Sequence, residues 1–222
     1  MARFYHRHPY PPFIPEGATK LIVGTLPPPR FSIPALKEGD VDFCYGTRDG
    51  LLWRILGNIF SIDFPFETSQ RAIDSRVAFL TQYKIGICDM VEACYRQKID
   101  ASDLGMEQIQ LRNLLAQLEN HPTISTILFT GGNSKNGPEY LFRRHLKQQQ
   151  LHLTLITADS PKIHRFSYAG REITTVSLIA PSGSANRAIG SIPLYKQRKQ
   201  ENPAYSPFDF RVEQYRPFFK GN

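Results

Sequence analysis

The sequence predicts an α/β protein: a three-layer α/β/α sandwich around a mainly parallel sheet. Three observations predict it. Short runs rich in Ile, Leu, Val and Thr recur along the chain, separated by longer segments with helical apolar spacing. Two of these runs end abruptly in small, polar and proline residues: Leu21-Ile22-Val23-Gly24-Thr25-Leu26-Pro27-Pro28 and Leu178-Ile179-Ala180-Pro181-Ser182-Gly183-Ser184-Ala185-Asn186-Arg187. A buried parallel strand that delivers the chain to a surface loop reads this way. Finally, 222 residues with 41% apolar side chains suit one core, so residues 1–222 are read as a single domain.

Taken in order, the proline-rich residues 1–16 show no periodicity and predict an extended arm lying over the domain. Strands are expected at Lys20–Gly24, Lys84–Cys88, Thr126–Thr130, Leu151–Thr157 and Glu172–Ile179. Leu51, Leu52, Ile55, Leu56, Ile59 and Phe60 fall on one helical stripe, which also assigns Trp53 to the core. Thr68–Gln82, Met106–Glu119 and Pro138–Gln149 read as helices, the last with proline in its first turn. A helix is expected to begin after Ala185, leading into the basic and aromatic segment 188–222, with a further short helix at Phe208–Tyr215. Strands alternating with helices place a parallel sheet between two helical layers.

A net charge of +7 favours a polyanionic partner such as nucleic acid. No apolar run approaches the ~20 residues of a membrane span, and Met1–Pro9 lacks the apolar stretch of a signal peptide, so a cytoplasmic location is expected. Cys44, Cys88 and Cys94 form no Cys-x-x-Cys pair. They indicate neither a disulfide framework nor a zinc site, and are too few for a four-cysteine iron–sulfur cluster; buried thiols are expected instead. No metal or organic cofactor is called for, and a monomer is expected.

Candidate chemistry lies at the strand ends, which a parallel sheet turns to the same side. These are Gly24-Thr25-Leu26-Pro27, Asp89, Gly131-Gly132-Asn133 and Ala180-Pro181-Ser182. The Gly131 loop invites comparison with a phosphate loop. However, Pro138 and Glu139 stand where such a loop needs Lys and Ser/Thr, which argues against a nucleotide triphosphatase. Backbone amides of this turn remain available to a DNA phosphate. Asp89 can cap a helix start or contact a ligand. Phe43 and Tyr45 can be core rings or a stacking wall, and Lys196, Arg198 and Lys199 can be a solvated face or a phosphate patch.

The two long loop segments together resemble the signature loops of the uracil-DNA glycosylase superfamily, a Gly-x-x-Pro turn and a Pro-Ser-rich turn. Cys88-Asp89-Met90-Val91-Glu92-Ala93-Cys94, with Ile99-Asp100 downstream, resembles the hypoxanthine-DNA glycosylase branch. Phe43–Trp53 is similar to the aromatic-to-Trp stretch of that branch and the mismatch-specific one. The resemblance implies a glycosylase-like fold. It also implies hydrolysis of the N-glycosidic bond of a deaminated base, uracil or hypoxanthine, in DNA, as in base excision repair. In those terms Tyr45 stacks on an extruded base, with Phe43 as its neighbour, while Gly24, Thr25 and Asp89 read and stabilise the base. Pro181, Ser182, Gly183 and Ser184 press on phosphates and the vacated space, with Asn186 and Arg187 nearby.

The chain departs from the family pattern at Leu26, where many members place Asn or Asp to position water. The hypoxanthine branch moves that task to an Asn before the Trp segment. Here Arg48-Asp49-Gly50 occupies the place; Asp49 is the nearest suitable side chain, although an ungapped match sets Gly50 there. The catalytic set implied is therefore Asp49, Asp89 and Thr25. Two other classes are open: a glycosylase-like DNA-binding module without efficient chemistry, motivated by Leu26, and a metal-dependent nuclease on Asp40, Asp42, Asp49 and Asp89.

Overall fold

The computed structural model describes residues 3–220; Met1 and Ala2 of the arm and Gly221 and Asn222 of the C-terminal segment lie outside the described residues. Among the described residues, nine strands form two sheets. The larger contains β2 (Lys20–Gly24), β3 (Ile85–Asp89), β6 (Thr126–Phe129), β7 (Thr154–Thr157), β8 (Lys162–Tyr168) and β9 (Arg171–Ser177), in the order β3-β2-β6-β9-β8-β7. Its first four strands run parallel, and β8 and β7 complete it antiparallel. The smaller is antiparallel, β1 (Phe4–Arg7) pairing with β4 (Val91–Arg96) and β4 with β5 (Met106–Leu111).

The sandwich follows from alternation along the strands. Leu21 and Val23 of β2 point into one apolar cluster, together with Ile127 and Phe129 of β6, α3 (Leu114–Asn120) and α4 (Pro138–Gln148). Ile22 points the other way and joins Leu128, Val176, α1 (Leu52–Phe60), α2 (Gln70–Gln82) and α7 (Pro207–Phe219). Two helical layers thus cover the sheet, as expected.

Several elements differ from the expectation. The predicted helix Met106–Glu119 is split: residues 106–111 alternate in burial and form β5, and the Asn113 side chain then caps α3 by accepting from Ala116 N at 3.1 Å. β8 is an unexpected strand. Its hairpin to β9 turns at Ala169 and Gly170, both at positive φ (50° and 75°), the geometry of a two-residue hairpin turn. The arm is extended, but its first part is β1, and Phe13 bridges to Ile87 of β3. The aromatic C-terminal segment is structural: after α5 (Asn186–Ser191) and α6 (Pro193–Glu201), α7 buries Phe210, Tyr215 and Phe219. No described helix is long and apolar enough to cross a membrane. All three cysteines are free and buried.

Candidate active site

In the parallel part of the sheet the chain leaves β2 for β3 on one side and later returns to β6 on the other. That reversal opens a crevice beyond the carboxyl ends of the strands. A cavity of about 420 Å³ lies there, lined among others by Gly24, Thr25, Tyr45, Asp49, Asp89, Asp103, Thr130 and Pro181–Ser184.

Its floor is set by register. Gly24 and Asp89 are paired neighbours on β2 and β3. A Cβ on Gly24 would stand 2.1 Å from the Tyr45 hydroxyl oxygen and 2.4 Å from Asp89 Oδ1, so only glycine lets those two groups approach the strand end. The Tyr45 hydroxyl shares a hydrogen bond of 2.8 Å with the Thr130 hydroxyl at the end of β6. Burial, with the Asp89 carboxylate beside it, pushes the Tyr45 phenol well above its ordinary range, so it remains a neutral ring.

Tyr45 is held by a loop built around Asp40. That buried carboxylate accepts from Arg30 Nε (2.7 Å) and from the backbone amides of Lys37 and Arg48 (2.9 Å each). Burial disfavours its charge, but Arg30 and the amides outweigh this and lower it to about 2. Trp53 is core, as expected, and its Nε1–H ties down the Cys44 carbonyl at 3.0 Å. Phe43 does not line the cavity; it packs against Phe13 and Trp53.

The opposite wall is fixed by α7. Fully buried Arg211 donates to the carbonyls of Ala180 (2.9 Å), Ser182 (2.7 Å) and Pro207 (3.1 Å). Tyr215 donates to Ile179 O at 2.7 Å, and Leu51 N donates to Pro181 O at 2.9 Å, joining the wall to the start of α1. Pro181 is buried while Gly183 and Ser184 are exposed. Asn186 and Arg187 are exposed at the start of α5, outside the cavity lining. Lys196 and Lys199 are also exposed, whereas Arg198 pairs with Glu213 at 3.0 Å.

Asp49 stands at the cavity mouth with its side chain 76% exposed. Asp89 is buried and accepts from His8 Nε2 at 2.8 Å. Because His8 Nδ1 accepts the Tyr10 amide at 3.0 Å, Nε2 is the nitrogen that carries the proton. The arm therefore supplies a residue that orients Asp89. A separate groove of about 510 Å³ is lined by arm residues 7–12, His8 included, together with Ser32, Glu92 and Arg112. Asp40 and Asp42 are occupied elsewhere, Asp42 by the Tyr10 hydroxyl at 2.6 Å, and among the described residues no three His, Cys, Asp or Glu side chains group to hold a metal.

Sequence reasoning missed His8, which backs Asp89 without lining the cavity, and among the lining residues it missed Thr130 and Asp103. Thr130 ends a predicted strand, which was signal enough to include it. Asp103 lies in a one-turn segment between β4 and β5 and accepts from the Thr25 hydroxyl at 3.3 Å.

No family model matches the chain, and no curated protein does. Among solved structures it is similar to the solution NMR structure of a candidate uracil DNA glycosylase from Methanosarcina acetivorans. The two are 16% identical with a TM-score of 0.54, over 94% of this chain and 99% of that one. The likeness extends over nearly the whole of both chains, and the architecture of this chain is a uracil-DNA-glycosylase-like α/β fold.

Proposed function

We propose that this chain hydrolyses the N-glycosidic bond of a deaminated base in DNA. The observation that carries the reading is the convergence of Gly24-Thr25, Asp89, Thr130, Tyr45 and the Pro181–Ser184 loop on one cavity at the switch point of a glycosylase-like sheet. The C1′ atom of a stacked nucleotide is out of reach, so the base must be extruded to enter. Tyr45 supplies a neutral ring for it to stack on, a contact that contributes ~1–3 kcal/mol. Thr25 and Asp89 meet its edge. Phe43, two residues before Tyr45, packs on Trp53 and anchors the loop that carries that wall.

Breaking the bond leaves positive charge on the sugar. Asp49 at the mouth is placed to stabilise it and to orient the attacking water. The Pro181–Ser184 loop, exposed at Gly183 and Ser184, meets the flanking phosphates, with Asn186 and Arg187 beside it. Such contacts make binding salt-dependent through counterion release.

Oligonucleotides containing uracil, hypoxanthine, xanthine or mismatched thymine test the reading. Wild type should leave alkali-labile abasic sites in at least one of them, with or without chelator. Asp49→Asn should lower the excision rate by about 10²–10³-fold with DNA affinity unchanged. Binding without any abasic product would make the chain a DNA-binding module, and chelator-sensitive strand cleavage would make it a nuclease.

A further inference from the structure

The cavity holds a second carboxyl group, and its surroundings differ from those of Asp89. The backbone on either side of Asp103 is clamped: buried Arg96 donates to Ser102 O at 2.6 Å, and buried Asn136 Nδ2 donates to Asp103 O at 2.9 Å. Its side chain faces the Thr25 hydroxyl and lines the cavity. The charged and titratable groups around it are Asp89 at the end of β3, Arg96 and Cys94 from β4, and Asp100 on its own loop. Arg96 is shared, donating to His6 Nδ1 at 2.9 Å and lying 3.8 Å from Asp100. Burial raises the Asp103 carboxyl and the Asp89 charge adds to it; the Thr25 bond and Arg96 only partly offset them, leaving it at about 6. Asp89, by contrast, accepts an N–H from His8. One cavity thus holds Asp89, tied to the His8 N–H, and a second carboxyl whose burial favours its protonated form.

We infer that Asp103 is a catalytic residue that protonates the departing base, and that the base is a deaminated purine. This rests on the glycosylase reading above. Hypoxanthine, attached through N9, keeps unshared pairs on other ring nitrogens. Uracil, attached through N1, has only N3 besides, which already carries hydrogen, and its carbonyl oxygens are much weaker bases than a purine ring nitrogen. A proton donor in the cavity therefore serves the purine. In the step, the Asp103 proton moves to a ring nitrogen as the C1′–N9 bond breaks and its electron pair stays with the purine, which leaves neutral. Water adds to C1′, and the proton it releases restores the Asp103 carboxyl. The sum is hydrolysis, with no further reactant.

Single-turnover excision of hypoxanthine and of 5-fluorouracil, whose anion leaves readily without a proton, tests this between about pH 5 and pH 8. On hypoxanthine the wild-type rate should fall about tenfold per unit above about pH 6. Asp103→Asn should cut it by about 10²–10⁴-fold and flatten the profile, while 5-fluorouracil excision changes less than about tenfold. Asp74→Asn, exposed on α2 and outside the cavity lining, should leave both substrates unaffected. An unchanged profile in Asp103→Asn, or an equal loss on both substrates, overturns the acid role. Wild-type excision of 5-fluorouracil alone overturns the purine assignment but leaves the glycosylase reading intact. Inactivity on every base overturns both.

Discussion

The two sheets meet at the cavity but reach it by different chemistry. β2, β3 and β6 are apolar on both faces, and apart from Asp89 what they present to the site is mostly position: a glycine where space is needed and loops where strands end. The small sheet and the loops leaving it carry buried His6, His8 and Arg96, with Asp103 between β4 and β5. Through His8 this sheet orients Asp89, which the large sheet locates, and the loop between β4 and β5 supplies Asp103. The parallel strand ends around Gly24 should therefore be intolerant of added volume, and the small sheet should be sensitive to pH through His6.

The strongest break of that contrast comes from volume at the large sheet. Gly24→Val should abolish detectable excision, a loss of more than about 10²-fold, because its branches must displace Tyr45 and Asp89. Overpacking should also cost about 1–3 kcal/mol in denaturant unfolding. Retained activity would mean that Tyr45 and Asp89 do not need their approach to the strand end.

Protonation at the small sheet comes next. Burial, helped by Arg96 and His8, lowers His6 from 6.5 to about 4. The unfolded chain then binds this proton first, so the stability from neutral His6 is complete above pH 6.5 and is lost as pH falls towards 4. The loss should be on the order of 3 kcal/mol, read as a drop in urea midpoint that His6→Gln flattens. A midpoint independent of pH across that window would remove the small sheet's special sensitivity.

A more moderate effect is expected at the contact between the sheets. His8→Phe leaves Asp89 without its donor at 2.8 Å and should cost about 1.5–3 kcal/mol, with excision reduced about tenfold. His8→Gln, which can still donate, should recover part of the rate. The smallest change lies far from the site: Ser206→Ala breaks the capping box with Asp209 at the start of α7 and should lower stability by about 1 kcal/mol without changing substrate preference.

The same contrast governs what the sequence could tell. β2, β3 and β6 are continuous apolar runs, so their strand ends, and with them Gly24, Asp89 and the Pro181 loop, were readable from local pattern. β4 hides its strand character behind Glu92 and Arg96, which are paired with Arg112 and His6 only in three dimensions. Met106-Glu107-Gln108-Ile109-Gln110-Leu111 does alternate with strand period, but the helical stripe following Asn113 masks it. His8 meets Asp89 across 81 residues, and no short-range signal marks such a pair. Asp103 reads locally as one more loop acid. Its unusual proton affinity arises from burial and, to a smaller extent, from Asp89, neither of which is legible in the adjacent chain.

The central claim is that bond cleavage at C1′, rather than strand scission or binding alone, takes place in this cavity. Mass spectrometry of products from hypoxanthine-containing duplex DNA, after single-turnover reaction with wild type and with Gly24→Val, tests it most directly. The account predicts free hypoxanthine and an unbroken strand that retains its sugar with wild type, and neither with the variant. Release of a nucleotide, a broken strand, or equal base release by Gly24→Val would contradict it.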